Sequence, residues 1–260
     1  MPVPAKTIDE VLEALDAIID DAIRNNHFTG IFAYLYRRTT YQIKCEIEKG
    51  TFEDNARMEE FDVVFANLYL NAFHHYKQQQ NICESWKISF EANNRKLTIM
   101  QHLLMGMNAH INYDLGIAAS EFMQGKPMED LKNDFHKIND ILAELIDEIQ
   151  DRVKRVSKLF FVLDFLGGRM DETLIRFSIR QSREHSWNIA NELYGMEAEA
   201  RIPRIEALDA AVRRKSEYII QPRPRVLNAA LWAVRLFEEK NIGMVISRLR
   251  EEDRMKLNSA

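Results

Sequence analysis

Apolar residues recur along this chain at intervals of three and four positions, the spacing of one face of an α-helix. The clearest stripe is the N-terminal one, formed by Ile8, Val11, Leu12, Leu15, Ile18, Ile19, Ala22 and Ile23. Thr7 and Glu10 stand at its start with the spacing of a capping box. No stretch sustains the alternation typical of a strand, and even residues 39–43 lie within a helical pattern. The pattern therefore predicts an all-α fold.

The same periodicity predicts a single helical-bundle-like domain of about nine helices, with long central helices. After the N-terminal stripe, helices are expected over residues 31–49, 56–77, 85–93, 96–123, 128–166, 171–194, 203–220, 224–240 and 242–256. Residues 1–220 would form the core domain. Residues 221–260 would form a C-terminal helical pair packed on the same domain, or contribute to a homo-oligomer contact, because the turn 221–225 is the best candidate boundary.

Composition narrows the class of protein. The chain has 260 residues, of which 46% are apolar and 29% charged, as in an ordinary globular domain, and its nine glycines and six prolines favour helices. A net charge of −5 gives no basis for a nucleic-acid partner. The most apolar run, residues 159–166, is too short to span a bilayer and contains Asp164, so we expect no membrane partner.

The cysteines and the N-terminal residues bear on the compartment. Cys45 and Cys83 lie far apart and lack the spacing of metal ligands, and the first residues lack the charged and then apolar pattern of a signal peptide. Both observations favour free thiols in a reducing environment. We therefore expect a cytoplasmic protein.

The most informative segment is 100–116, MQHLLMGMNAHINYDLG, which places many polar residues in an apolar stretch. The residues concerned are His102, Gly106, Asn108, His110, Asn112 and Asp114. Successive residues of a helix are rotated by about 100°, so His102, Gly106, His110 and Asp114, at intervals of four, form one ridge. The two asparagines lie on nearly the opposite side. Polar groups in a core cost free energy unless they have partners. A helix with polar groups on two faces is expected to be central, and Gly106 would let another group approach closely.

His110 and Asp114 are the first candidates for chemistry, because residues four apart share a helix face. They could ligate one divalent metal (zinc, iron or manganese), with His102 or Asp134 completing the set. Alternatively, Asp114 could fix the tautomer of a catalytic His110, or the pair could be a hydrogen bond within a core. For Asp134 the alternative is a helix N-terminal position favoured by the helix dipole.

Two further regions supply candidate residues. Asp164 lies among phenylalanine and leucine residues, where a carboxylate needs a partner, a metal or a raised pKa. In the helix expected over 171–194, the predicted inner side carries Ser178, Gln181, Ser182 and His185. Arg183 is predicted to point away from it. The predicted catalytic residues are thus His110, Asp164 and His185.

Amides and one hydroxyl are the predicted substrate-binding groups, because they project from separate helices toward a common interior. They are Asn108, Asn112, Asn139 and Ser178. A second pair with the same spacing, His136 and Asp140, falls opposite the apolar stripe of its helix and is predicted to lie on a solvated face.

The run MNAHINYDL at residues 107–115 resembles the signature of an uncharacterised bacterial family, a domain of unknown function. Shorter matches are Asp62 with FAN at 65–67, DFHKIN at 134–139, Asp164 before Gly167-Gly168, and FSIR at 177–180 with Trp187 downstream. The similarity extends over residues 30 to 220. It implies an all-helical fold and brings no established activity.

Three functions are compatible with these residues. A metal-dependent, hydrolase-like enzyme is favoured, because inward polar groups come from several helices. The alternatives are a non-metal domain in which Asn108, His110, Asp114 and His185 orient a small molecule, and an interaction protein whose polar core only specifies packing. The sequence contains no GxSxG, phosphate-binding loop, dinucleotide-binding glycine motif, HExxH or di-iron ExxH pattern.

Overall fold

The computed structural model describes residues 4–156 and 179–257, and within these ranges the chain is helical and has no strand. The all-α prediction is confirmed. The helices are α1 (Ile8–Asn25), α2 (Thr29–Glu48), α3 (Asn55–Lys77), α4 (Glu84–Glu91), α5 (Ile99–Ala109), α6 (Leu115–Phe122), α7 (Glu129–Val156), α8 (Ile179–Tyr194), α9 (Ala198–Ile220), α10 (Arg225–Phe237) and α11 (Ile242–Leu257). A 3₁₀ turn, Ala92–Asn94, follows α4, and a π-helical segment, His110–Asp114, joins α5 to α6.

Helix α1 forms where its apolar stripe and its cap predict it. The hydroxyl of Thr7 accepts a hydrogen bond from the Glu10 backbone N–H at 3.2 Å. The Glu10 carboxylate accepts from the N–H of Lys6, so the second bond of the capping box is not made to Thr7 itself. The apolar stripe packs along α2 and starts the larger hydrophobic cluster of the fold.

The central element is the continuous helical rod from α5 through the π-helical segment to α6. Most of its residues are buried, and it contacts α2, α3, α4, α8 and α9. At Gly106 a side chain of α2 packs directly on the rod: a Cβ atom there would overlap the Phe32 ring. The glycine predicted to admit a close neighbour therefore admits an aromatic side chain.

Carboxylates from distant parts of the chain cap the N-termini of three helices. They are Asp134 on α7, Asp209 on α9 and Glu238 after α10. They accept backbone N–H bonds of 2.7–3.2 Å from Glu53 and Asp54 before α3, from Glu84 and Ser85 at α4, and from Ile99 at α5, respectively. A negative charge at a helix N-terminus satisfies free N–H groups and opposes the helix dipole favourably. Capping thus explains the positions of these three acids.

The C-terminal helices share the core of the preceding helices. Four apolar residues of α11 belong to the same hydrophobic cluster as α1 and α2, namely Ile242, Val245, Ile246 and Leu249. The Tyr34 hydroxyl of α2 donates to the Leu249 carbonyl oxygen at 2.9 Å. On α10 one face is buried, while Trp232, Leu236 and Phe237 on the outer face are exposed.

The start of helix α9 differs from the predicted one. Helix α9 begins at Ala198, so Pro203 lies inside it, although the pattern placed the helix start at this proline. Proline lacks an N–H and favours first-turn positions, which is why the sequence indicated a start there. The end of the long helix predicted over 128–166 lies outside the described residues.

Candidate functional site

The signature run contains a break in regular helix geometry. Residues His110–Asp114 form a single π-helical turn inside the central rod, and the side chains of His110, Asn112 and Asp114 are buried there. Such π-bulges insert an extra residue and are frequent at functional sites. The local irregularity and the unusual polar residues therefore coincide.

His110 and Asp114 are joined by a hydrogen bond, which Trp86 extends. Asp114 Oδ2 lies 3.2 Å from His110 Nδ1 and accepts a second bond from Trp86 Nε1 at 2.9 Å. Burial lowers the pKa of His110 and raises the pKa of Asp114, so it favours the neutral form of each. Whichever of them carries the shared proton, His110 Nε2 has no hydrogen-bond partner among the described residues.

Aromatic rings fix the orientation of the His110 imidazole. It stacks on Phe65 with a centroid distance of 3.8 Å and an interplanar angle of 10°. The Tyr36 ring meets it edge-on at 4.3 Å, and Phe32 does so at 5.7 Å. Because these contacts and the Asp114 bond act together, Nε2 is held in one direction.

A cavity lies beside His110. Residues of α2, α3, the central rod, α7 and α8 line it, and most of them are phenylalanine, leucine, isoleucine or methionine. The polar lining residues are Tyr36, Thr39, Asp62, His110 and Arg183. An apolar cavity with a few convergent polar groups is the usual form of a small-molecule site.

Asp62 is the acidic group of this cavity. It is 4% exposed, and its Oδ2 has no hydrogen-bond partner among the residues that the structure describes. Burial raises the pKa of Asp62 to about 7, while the nearby Arg183 lowers it and Glu59 adds to the rise. A carboxyl group of this kind is present in both protonation states at neutral pH.

Arg183 is the basic group, and it too is only 4% exposed. Its Nε donates to Asn139 Oδ1 at 2.8 Å, its Nη2 donates to the Phe135 carbonyl oxygen at 2.6 Å, and its guanidinium lies 4.4 Å from the Phe135 ring centroid. Among the side chains that the structure describes, no carboxylate forms an ion pair with it within 4.0 Å. Burial lowers the pKa of Arg183 to about 9, which leaves it protonated at neutral pH.

The orientation predicted for α8 was wrong for Arg183 and His185, although Ser182, Ile189 and Leu193 are buried as predicted. Arg183 is buried and lines the cavity, whereas His185 is exposed and does not. The sequence does contain the signal: Ile179, Arg183, Trp187 and Ala190 are spaced by four, four and three residues along one helix face. The prediction instead used the serines and the histidine, which lie on a neighbouring arc of the same helix.

Asn108 and Asn112 hold the central rod to α9. Asn108 Nδ2 donates to the Val212 carbonyl oxygen and to Ser216 Oγ, both at 2.9 Å, and Asn112 Nδ2 donates to Asn108 Oδ1 at 3.1 Å. Lys215 Nζ approaches Asn112 Oδ1 at 3.3 Å. Neither asparagine lines the cavity, and the protein itself uses the groups that were predicted to bind substrate.

The four predicted metal ligands do not come together. His102 stacks on Phe28 at 5.0 Å, and burial lowers the pKa of His102 to about 3. Asp134 forms an ion pair with Arg57 at 2.6 Å in addition to its capping bonds. Among the side chains that the structure describes, no group of three or more His, Cys, Asp or Glu residues is arranged to hold a metal ion. Only the pairing of His110 with Asp114 remains from the predicted set.

The remaining predicted residues have different outcomes. Asp164 and Ser178 lie outside the described residues. Asn139 does not line the cavity but positions Arg183, as its bond to Nε shows. His136 lies 3.3 Å from Glu184, and the side chain of Asp140 is exposed.

Comparison with known proteins gives a family and no activity. The model of the "Family of unknown function (DUF5995)" matches residues 8–222, more than half of the chain. No curated protein and no solved structure matches the chain. Among the described helices, none combines the length and the apolar character needed to cross a membrane.

Proposed function

The chain belongs to this family of unknown function, and we propose that it binds a small, mainly apolar molecule in the cavity beside His110. The observation that carries the proposal is the state of three buried polar groups that line the same apolar cavity. Asp62 Oδ2 and His110 Nε2 lack hydrogen-bond partners, and Arg183 lacks an ion-pair partner among the described residues.

The energetic argument is that such groups are costly when they are left alone. A buried polar atom without a partner costs about 1–3 kcal/mol, and a buried charge costs more. Native cores contain few such atoms, and each one calls for an explanation. A bound molecule could supply hydrogen-bonding atoms to these groups, while its body would contact the apolar lining.

A binding experiment with a cavity-filling variant tests this proposal. The neutral dye Nile red should bind wild-type protein saturably, with increased and blue-shifted fluorescence. Thr39→Trp should abolish this binding, because Thr39 lines the cavity and its hydroxyl bonds only the Leu35 carbonyl oxygen in the same helix. Tyr41→Trp is the matched control: it introduces the same side chain on α2 at a position that is 51% exposed and outside the cavity lining.

Two results would contradict the proposal. One is the absence of saturable dye binding to the wild type. The other is equal binding by wild type and Thr39→Trp when circular dichroism confirms that the variant is folded.

Metal-dependent hydrolysis is the second candidate function. In its favour, Asp114 engages Nδ1 of His110 and leaves Nε2 available, the arrangement in which histidines commonly ligate metals. Zinc, iron or manganese would need further ligands from outside the described residues, of which Asp164 is the candidate. Stoichiometric metal in untagged protein, lost together with stability in chelator, would support this function. Metal-free protein with unchanged stability in chelator would count against it.

A further inference from the structure

The chemical class of the ligand can be argued from the charges of the cavity, if the proposed small-molecule function holds. Arg183 is the cation among the described lining residues, since burial favours the neutral imidazole of His110. Its bonds to Asn139 and to a backbone carbonyl oxygen hold the guanidinium in place, but both acceptors are neutral. A buried guanidinium without a countercharge is an incomplete arrangement.

Asp62 does not supply the missing charge. Arg183 and Asp62 influence each other electrostatically, yet no contact within ion-pair distance joins them. Glu184, the next residue on α8, is exposed and lies against His136. Neither Asp62 nor Glu184 is thus a direct ion-pair partner of Arg183.

Three kinds of polar end group can be compared for a ligand with an apolar body. An ammonium would oppose Arg183 and would require ionised Asp62. A hydroxyl could bond Asp62 or His110 but would leave the guanidinium uncompensated. A carboxylate would neutralise Arg183 and could also accept a hydrogen bond from the protonated carboxyl of Asp62.

We propose that the cavity binds an apolar monocarboxylic acid, with its carboxylate on Arg183 and its hydrocarbon body against the phenylalanine, leucine and isoleucine side chains of α2, α3 and α7. One negative charge suffices, because the described lining contains a single guanidinium. The paired charges would be shielded from water, where a charge-assisted hydrogen bond contributes more than it does at a surface. Asn139 acts as the positioning residue for Arg183.

Isothermal titration calorimetry with three probes of equal chain length tests the inference: octanoate, 1-octanol and octylamine. Wild-type protein should bind octanoate at least about tenfold more tightly than either of the others. Arg183→Met should remove this preference while 1-octanol binds as before. Arg180→Met is the matched control, because Arg180 lies on the same helix and is exposed. That variant should keep the preference.

The outcomes separate this inference from the proposed function. If 1-octanol binds in the cavity, competing with Nile red, but octanoate binds no more tightly, the carboxylate assignment is wrong and small-molecule binding stands. If none of the three probes nor the dye binds the wild type, the proposed function itself fails. The comparison of the three probes uses wild-type protein alone. It can therefore contradict the inference even if Arg183→Met does not fold.

Discussion

The two polar faces of the central rod differ in how their hydrogen bonds are completed. On one face, Asn108 and Asn112 bond to each other and to groups of α9, at 2.9–3.3 Å. On the other face, His110 is fixed by Asp114, but its Nε2 has no hydrogen-bond partner among the described residues, and neither has Oδ2 of Asp62, which lines the same cavity. The protein supplies hydrogen-bond partners for the asparagines of the first face. On the second face, one polar atom of His110 and one of Asp62 have none among the described residues.

This difference shows why buried polarity alone does not identify a site. Asparagines and histidine are equally buried and come from the same nine-residue signature run. What separates them is whether the surrounding helices supply a partner for every polar atom. We therefore regard the face with incomplete bonding as the functional one and the other as structural, and the following variants test that division.

The largest expected effect is the pH dependence caused by Asp62. Because burial raises its pKa from 3.8 to about 7, the unfolded chain loses this proton at lower pH than the folded protein does. The contribution of Asp62 to stability is therefore fully present below pH 4 and is lost as the pH rises through about 7. Asp62→Asn should gain about 4 kcal/mol in unfolding free energy relative to wild type between pH 4 and pH 8.

Urea denaturation of both proteins across that pH range measures the effect. Asp140→Asn, at an exposed carboxyl on α7, is the matched control, and its profile should run parallel to that of the wild type. If the difference in unfolding free energy between Asp62→Asn and wild type stays constant with pH, burial does not raise the pKa of Asp62.

On the completed face, Asn108→Ala should lower the unfolding free energy by about 3 kcal/mol. The substitution removes two bonds to α9 and one from Asn112, and it leaves buried groups without partners. Binding of Nile red should keep its wild-type affinity at temperatures where the variant is folded. A loss of dye binding with unchanged stability would reverse the roles assigned to the two faces.

The sequence predicted the helical fold because apolar periodicity is a local signal, and helix packing against a core preserves it. It also located the central rod, where polar residues on two faces can only be accommodated by surrounding helices. It did not identify Arg183, although Trp187 and Ala190 continue the stripe on which Arg183 lies. An arginine in an apolar stripe is normally interpreted as a residue at its edge, because burying a charge is rare.

The predicted metal set failed for a different physical reason. Asp134 is buried, as a ligand would be, but its partners are the N-terminus of α3 and Arg57, more than seventy residues away in sequence. Such a long-range cap has no signature in the local sequence. His102 is likewise buried by Phe28 of a distant segment. Burial was predictable from the pattern, and the identity of the partners was not.

Asp134→Asn tests this structural role and should lower the unfolding free energy by about 2 kcal/mol. The amide keeps the shape of the side chain but weakens the ion pair with Arg57 and the charge at the α3 N-terminus. The metal content of the purified protein, whatever it is, should not change. A stable variant that has lost a bound metal would restore Asp134 as a ligand.

The smallest expected effect comes from removing the hydroxyl groups of two buried tyrosines. One hydroxyl has a hydrogen-bond partner and the other has none among the described residues. The Tyr69 hydroxyl has none among the described residues, while its ring packs at 4.9 Å from Trp86 on the His110 side of the fold. Tyr69→Phe should therefore leave the unfolding free energy unchanged or raise it by up to about 1 kcal/mol. Tyr34→Phe should instead lower it by about 1 kcal/mol, because it removes the bond to the Leu249 carbonyl oxygen. Chemical denaturation of the pair measures both, and equal destabilisation would mean that the Tyr69 hydroxyl has a partner after all.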